Sequence, residues 1–199
     1  KNIEEIKPRK ILELGCYNGI LLNYMAENYP DQSFTGVDIE NQIIEFAKQR
    51  FKKNNLNYFP FEYRDLFNLK DTYDFIFTLF GVEEIPSKIK FDTYKIRNNK
   101  NYFSKYNFFN LFFKDLNLVR EEGTIFSPLI RIPDLNCLLS FLDAATDNQW
   151  KLKDDKIDFV EARNHHNETE RIPSFLLEYN YENKKNNKID LDLFFKITS

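Results

Sequence analysis

The chain has 199 residues, 42% of them apolar and 17% aromatic (21 Phe and 11 Tyr), enough to bury one substantial core. Its formal net charge of −3 excludes a global positive field for nucleic acid or an anionic membrane, and no apolar run approaches the roughly 20 residues needed to span a bilayer. The two cysteines, Cys16 and Cys137, lie far apart in no Cys-x-x-Cys or Cys/His cluster, so a reduced, cytoplasmic protein without a structural metal is expected.

The chain opens on Lys1 with about ten residues before its first apolar run, and a native N-terminal segment is expected to be missing. Residues 9–14 read as a short buried strand, because apolar residues run nearly unbroken until Gly15. Residues 20–28, "ILLNYMAEN", carry apolar side chains at helical spacing, and the Tyr29-Pro30-Asp31 step stops them. "SFTGVDI" (33–39) predicts a second strand and 41–54 a second amphipathic helix. A third strand lies within 56–66, a fourth over 73–82, a helix over 107–119, a fifth strand over 123–132 and a helix over about 134–146. Strands apolar on both faces alternating with helices predict a parallel sheet covered on both sides.

After Trp150 three strand-like segments follow without a convincing helix: "KIDFVEA", "SFLLEYNYE" and "KIDLDLFFKIT". They predict antiparallel additions, the last two joined by "NKKNN". No repeat or Ser/Gly/Pro-rich linker divides the chain, so residues 1–199 are expected to form one domain. The Phe-rich "FFNLFF" suits a core or a dimer face equally well.

Two of the five glycines bracket "GCYNG", between the first strand and the first helix. A strand that ends in glycine and feeds a helix brings backbone to one point above the sheet edge, where a ligand can approach without a Cβ in the way. Asp38 follows Gly19 by 19 residues at the end of the second strand, where a carboxylate can accept both hydroxyl hydrogens of a ribose. Asp65, in "YRDLF", is expected to end the third strand and to meet a purine edge.

These strand ends resemble the class I S-adenosylmethionine-dependent methyltransferases. "ELGCYNG" is similar to that family's acidic-x-Gly-x-Gly-x-Gly loop at Glu13, Gly15 and Gly19; Tyr17 stands where the family usually has its middle glycine. The resemblance implies a three-layer Rossmann-like fold, with a mostly parallel seven-stranded sheet and antiparallel C-terminal strands. It implies S-adenosylmethionine as cofactor, held by Glu13, Gly15, Cys16, Tyr17, Gly19, Asp38, Ile39, Asp65, Leu66 and Phe80. "FGVEEI" (80–85) looks like the region lining the methionine end and the acceptor. A nicotinamide or flavin dinucleotide uses the same sheet edge, but its fingerprint needs glycine where this chain has Tyr17 and Ile20.

The acceptor remains open: a small molecule, a protein side chain or an RNA group. Glu83, Glu84, His165 and His166 are candidate catalytic groups, though Glu83 and Glu84 equally suit a helix start and the histidines a solvated loop. Residues 86–106 carry six basic side chains against Asp92, interleaved with Phe91, Tyr94, Tyr102 and Phe103. That span could grip nucleic acid by charge and stacking, but a solvated surface excursion is favoured. No Asp/Asn-Pro-Pro-aromatic segment follows the fourth strand, and Asn136 rather than proline precedes Cys137. Base methylation at amino groups and at cytosine carbon is therefore disfavoured. The rival reading is a non-catalytic docking module of the same fold, suggested by Tyr17, the missing base and the short leading segment.

Overall fold

A computed structural model describes residues 2–60, 68–79, 101–129, 135–163, 167 and 169–180. In chain order these form α1 (Asn2–Ile6), β1 (Lys10–Leu14), α2 (Ile20–Asn28), β2 (Ser33–Asp38), α3 (Asn41–Arg50), β3 (Leu56–Pro60), β4 (Tyr73–Leu79), α4 (Asn101–Leu116), β5 (Arg120–Leu129), α5 (Leu135–Asp147), β6 (Trp150–Arg163) and β7 (Thr169–Tyr179). The described strands make one seven-stranded sheet in the order β3-β2-β1-β4-β5-β7-β6. Strands β1 to β5 are parallel, while β7 runs antiparallel to both β5 and β6.

The twofold period of each strand divides its side chains between two cores. Ile11, Phe34, Phe75, Phe77 and Ile125 face a cluster with Leu22, Met25, Ile44 and Ala47, supplied by α2 and α3. Leu12, Ile76 and Phe126 face the opposite cluster with Phe109, Phe112, Phe113, Phe141 and Trp150. Helices on both faces of a mostly parallel sheet make the expected three layers. "FFNLFF" resolves as core: all four of its phenylalanines are buried, and Phe113 meets Phe141 edge-on at 5.1 Å.

Boundaries differ from expectation where polar residues interrupt a strand. β5 begins at Arg120 rather than 123, because residues 121–124 bulge between the pairs Tyr73–Arg120 and Phe75–Ile125. Gly123, at φ +78, makes that bulge, and the Thr124 hydroxyl accepts the Glu121 N–H and donates to the Tyr73 carbonyl. β6 likewise starts at Trp150, ahead of "KIDFVEA", with an irregularity between Leu152 and Ile157 that includes Asp154 at φ +58. Helix α4 starts six residues before the predicted one, at Asn101. β3 ends at Pro60 and β4 at Leu79. Asp65, Leu66, Phe80, Glu83, Glu84, His165, His166 and most of the 86–106 span lie outside the described residues, as does "KIDLDLFFKIT".

Candidate functional site

The order of strands fixes where a ligand can sit. From β1 the chain proceeds outward to β2 and β3, then returns to place β4 on β1's other side. A crevice forms at such a reversal, at the carboxyl ends of the strands, and Glu13, the β1–α2 loop and Asp38 all stand there.

The loop is assembled largely by its own hydrogen bonds. The Gly15 and Cys16 N–H groups both donate to the Val37 carbonyl, at 2.8 and 3.0 Å, and the Gly19 N–H donates to the Cys16 carbonyl at 3.0 Å. The Asn18 carboxamide oxygen accepts the Ile20 N–H at the helix start. These donors are therefore spent within the fold, and what the loop offers a ligand is close backbone approach and nearby carboxylates.

Gly15, Tyr17 and Gly19 are all left-handed, at φ +76, +47 and +72. That explains why glycine suits the middle position of such a loop and what holds a tyrosine there instead. The Tyr17 N–H donates to Asp38 Oδ2 at 2.8 Å, so the strand-end carboxylate fixes the left-handed turn. The Tyr17 side chain is 62% exposed at the loop tip.

Gly19 answers to packing. A Cβ there would stand 2.4 Å from the Tyr58 hydroxyl, and one on Gly36 would stand 2.9 Å from the same ring. Tyr58, on β3, is wedged between the two glycines and donates its hydroxyl to the Gly19 carbonyl at 2.9 Å. Sequence reasoning missed Tyr58, because what singles it out is its contact with Gly19, 39 residues away.

Asp38 is held from two sides, accepting the Glu40 N–H on Oδ1 at 3.0 Å as well as the Tyr17 N–H on Oδ2. Each oxygen retains a further lone pair, so the carboxylate is oriented yet still able to accept. Ile39, next in sequence, is exposed, as is Leu79 at the end of β4.

Glu13 contrasts with it. The residue lies on β1, an interior strand, in register with Gly36 and Phe77, is only 3% exposed, and its Oε2 has no hydrogen-bond partner among the described residues. Burial, with a smaller contribution from the Asp38 charge, pushes its carboxyl up to about 8. Burial also raises the Cys16 thiol and the Tyr58 phenol, so both are neutral at physiological pH. Among the described residues no cluster of His, Cys, Asp and Glu could hold a metal ion, and no helix is long and apolar enough to cross a membrane.

An orphaned, buried carboxyl beside an oriented one at a parallel-sheet switch point fits a ligand that carries both a cation and vicinal hydroxyls. The malonyl-[acyl-carrier protein] O-methyltransferase of Acetivibrio thermocellus is 35% identical over 48 residues, 24% of this chain and 17% of that protein. The cyclopropane-fatty-acyl-phospholipid synthase of Escherichia coli K12 is 34% identical over 91 residues, 45% of this chain and 22% of the relative. The chain thus spans less than a quarter of the length of the curated relatives it matches. A solved S-adenosylmethionine-dependent methyltransferase from Methanosarcina mazei shares the fold at a TM-score of 0.62 and 12% identity, over 90% of this chain and 97% of that one. Residues 11–93, from β1 through the loop and β4, match a family model described as a methyltransferase domain. That match lies on a sheet of this strand order, so residues 11–93 are similar to a methyltransferase domain and the fold is the one shared with the solved S-adenosylmethionine-dependent methyltransferase.

Proposed function

We propose that this domain binds S-adenosylmethionine across the carboxyl ends of β1 to β3 and transfers its methyl group to an acceptor held beyond β4. The observation that carries the reading is the presence, on either side of the glycine loop, of Asp38, oriented by the Tyr17 and Glu40 amides, and the buried Glu13, whose Oε2 has no hydrogen-bond partner among the described residues. In this reading Asp38 accepts the ribose hydroxyls, Glu13 meets the ammonium of the methionine end, and Gly15 and Cys16 present backbone between them. Ile39 lines the adenine; Asp65, Leu66 and Phe80, which lie outside the described residues, are assigned to the cofactor on the sequence resemblance alone. The bound cofactor supplies an electrophilic methyl on a sulfonium, and the protein's part is to align an acceptor with it and exclude water.

Direct methyl transfer depends on in-line geometry more than on a strong base, so the reaction does not require Glu83, Glu84, His165 or His166 to titrate. The docking-module alternative drew on Tyr17, and the left-handed turn forms with tyrosine in place. Two free, buried cysteines fit a cytoplasmic location. Calorimetry on Asp38→Ala tests the assignment: loss of both the hydroxyl acceptor and the loop anchor is expected to weaken S-adenosylhomocysteine binding at least about tenfold. Wild-type affinity in that variant would remove Asp38 from the site.

A further inference from the structure

Glu13 has a consequence that rests on the cofactor reading and goes beyond it. The carboxyl sits on β1, with Gly36 of β2 on one side and Phe77 of β4 on the other, and neither neighbour brings a charge or a side-chain donor. Among the described residues, the titratable groups acting near it are Asp38 from the end of β2, Cys16 from the loop and Tyr58 from β3. Cys16 and Tyr58 are neutral, and the Asp38 charge acts on Glu13 in the same direction as burial. An ionised Glu13 would thus be a buried carboxylate without a hydrogen bond on Oε2 and with its nearest charge of the same sign, an arrangement that costs more than retaining a proton.

We propose that Glu13 is protonated in the free protein and gives its proton to solvent when the ammonium-bearing end of the ligand enters, so that cofactor binding releases one proton per site. The bond broken is the carboxyl O–H, the proton passes to buffer, and the ligand's ammonium takes over as counter-charge. The rise of the carboxyl to about 8 supports this, because it leaves Glu13 neutral below that pH unless a cation arrives.

The experiment is titration calorimetry with S-adenosylhomocysteine at pH 6.5, where its amino group is fully charged, in buffers of different ionisation enthalpy. The observed heat should vary with buffer enthalpy with a slope of about one proton released, and affinity should tighten about ninefold from pH 6 to pH 7 and level off above pH 8. Glu13→Gln, which keeps the shape and cannot ionise, should bind with buffer-independent heat and an affinity flat over that range. Carbon-13 NMR of the glutamate carboxyls in the free protein reads the other half, with the resonance lost in Glu13→Gln expected to titrate near pH 8. Binding with buffer-independent heat in the wild type would overturn the linkage while leaving the cofactor reading intact. Absence of binding would overturn the cofactor reading itself, and a Glu13 resonance titrating near pH 4 to 5 would overturn the proposal whatever the ligand does.

Discussion

Replacing Gly19 with alanine tests whether the second glycine of the loop answers to the ligand or to the fold. The new Cβ would meet Tyr58 at 2.4 Å from its hydroxyl and 2.6 Å from two ring carbons, distances at which something must move. Tyr58 is buried and cannot retreat easily, because Gly36 is packed against the same ring. The left-handed backbone costs alanine about 1 to 2 kcal/mol, and overpacking adds roughly 1 to 3 kcal/mol. Losing the hydroxyl bond to the Gly19 carbonyl adds only about 1 kcal/mol, since that carbonyl also accepts the Asn23 N–H at 2.9 Å. A total of about 3 to 6 kcal/mol is expected, a large share of what a domain of this size possesses. Urea unfolding of Gly19→Ala, Tyr58→Ala and the double variant gives the cycle. In the Tyr58→Ala background the Gly19 substitution should cost only its backbone share, about 1 to 2 kcal/mol. Equal costs in the two backgrounds would refute the steric account.

Two further perturbations follow from the same loop. Tyr17→Gly should stabilise the protein by up to about 1 kcal/mol in urea melts, because tyrosine now occupies φ +47 and the N–H bond to Asp38 survives the change; a clear destabilisation would show that the tyrosine ring contributes packing. Glu13 governs a pH dependence whose sign is set by its raised folded-state value: the native state binds the proton more tightly than the unfolded chain, so this contribution is complete below about pH 4.5 and is lost as pH rises through about 8. The rise from 4.5 to about 8 corresponds to at most about 5 kcal/mol, so in the free protein the stability of Glu13→Gln relative to wild type should increase between those limits. Parallel pH profiles for the two proteins would contradict the burial argument.

The layers of the fold were legible because local signals agreed: buried strands apolar on both faces, helices at 3.6-residue spacing, and Gly, Pro and Asp at their ends. The ambiguity of "FFNLFF" was settled by partners that periodicity does not name, Phe126, Phe141 and Trp150, from elements distant in sequence. The bulges at 121–124 and 153–156 were missed because charged residues there imitate a loop while the backbone remains paired on either side. At the site, Asp38 and the glycine loop could be read from spacing. Tyr58 could not, since its reason for being there is a contact across 39 residues. The isolation of Glu13 was equally hidden, because a carboxyl's lack of partners is a property of the packed structure alone.

The strand ends around Glu13, the β1–α2 loop and Asp38 are proposed to form a methyl-donor site. Isothermal titration of the purified protein with S-adenosylhomocysteine, with NAD as the control ligand, tests it most directly. Micromolar binding of the former with no heat from the latter is the predicted result; NAD binding, or no binding of either, would contradict it.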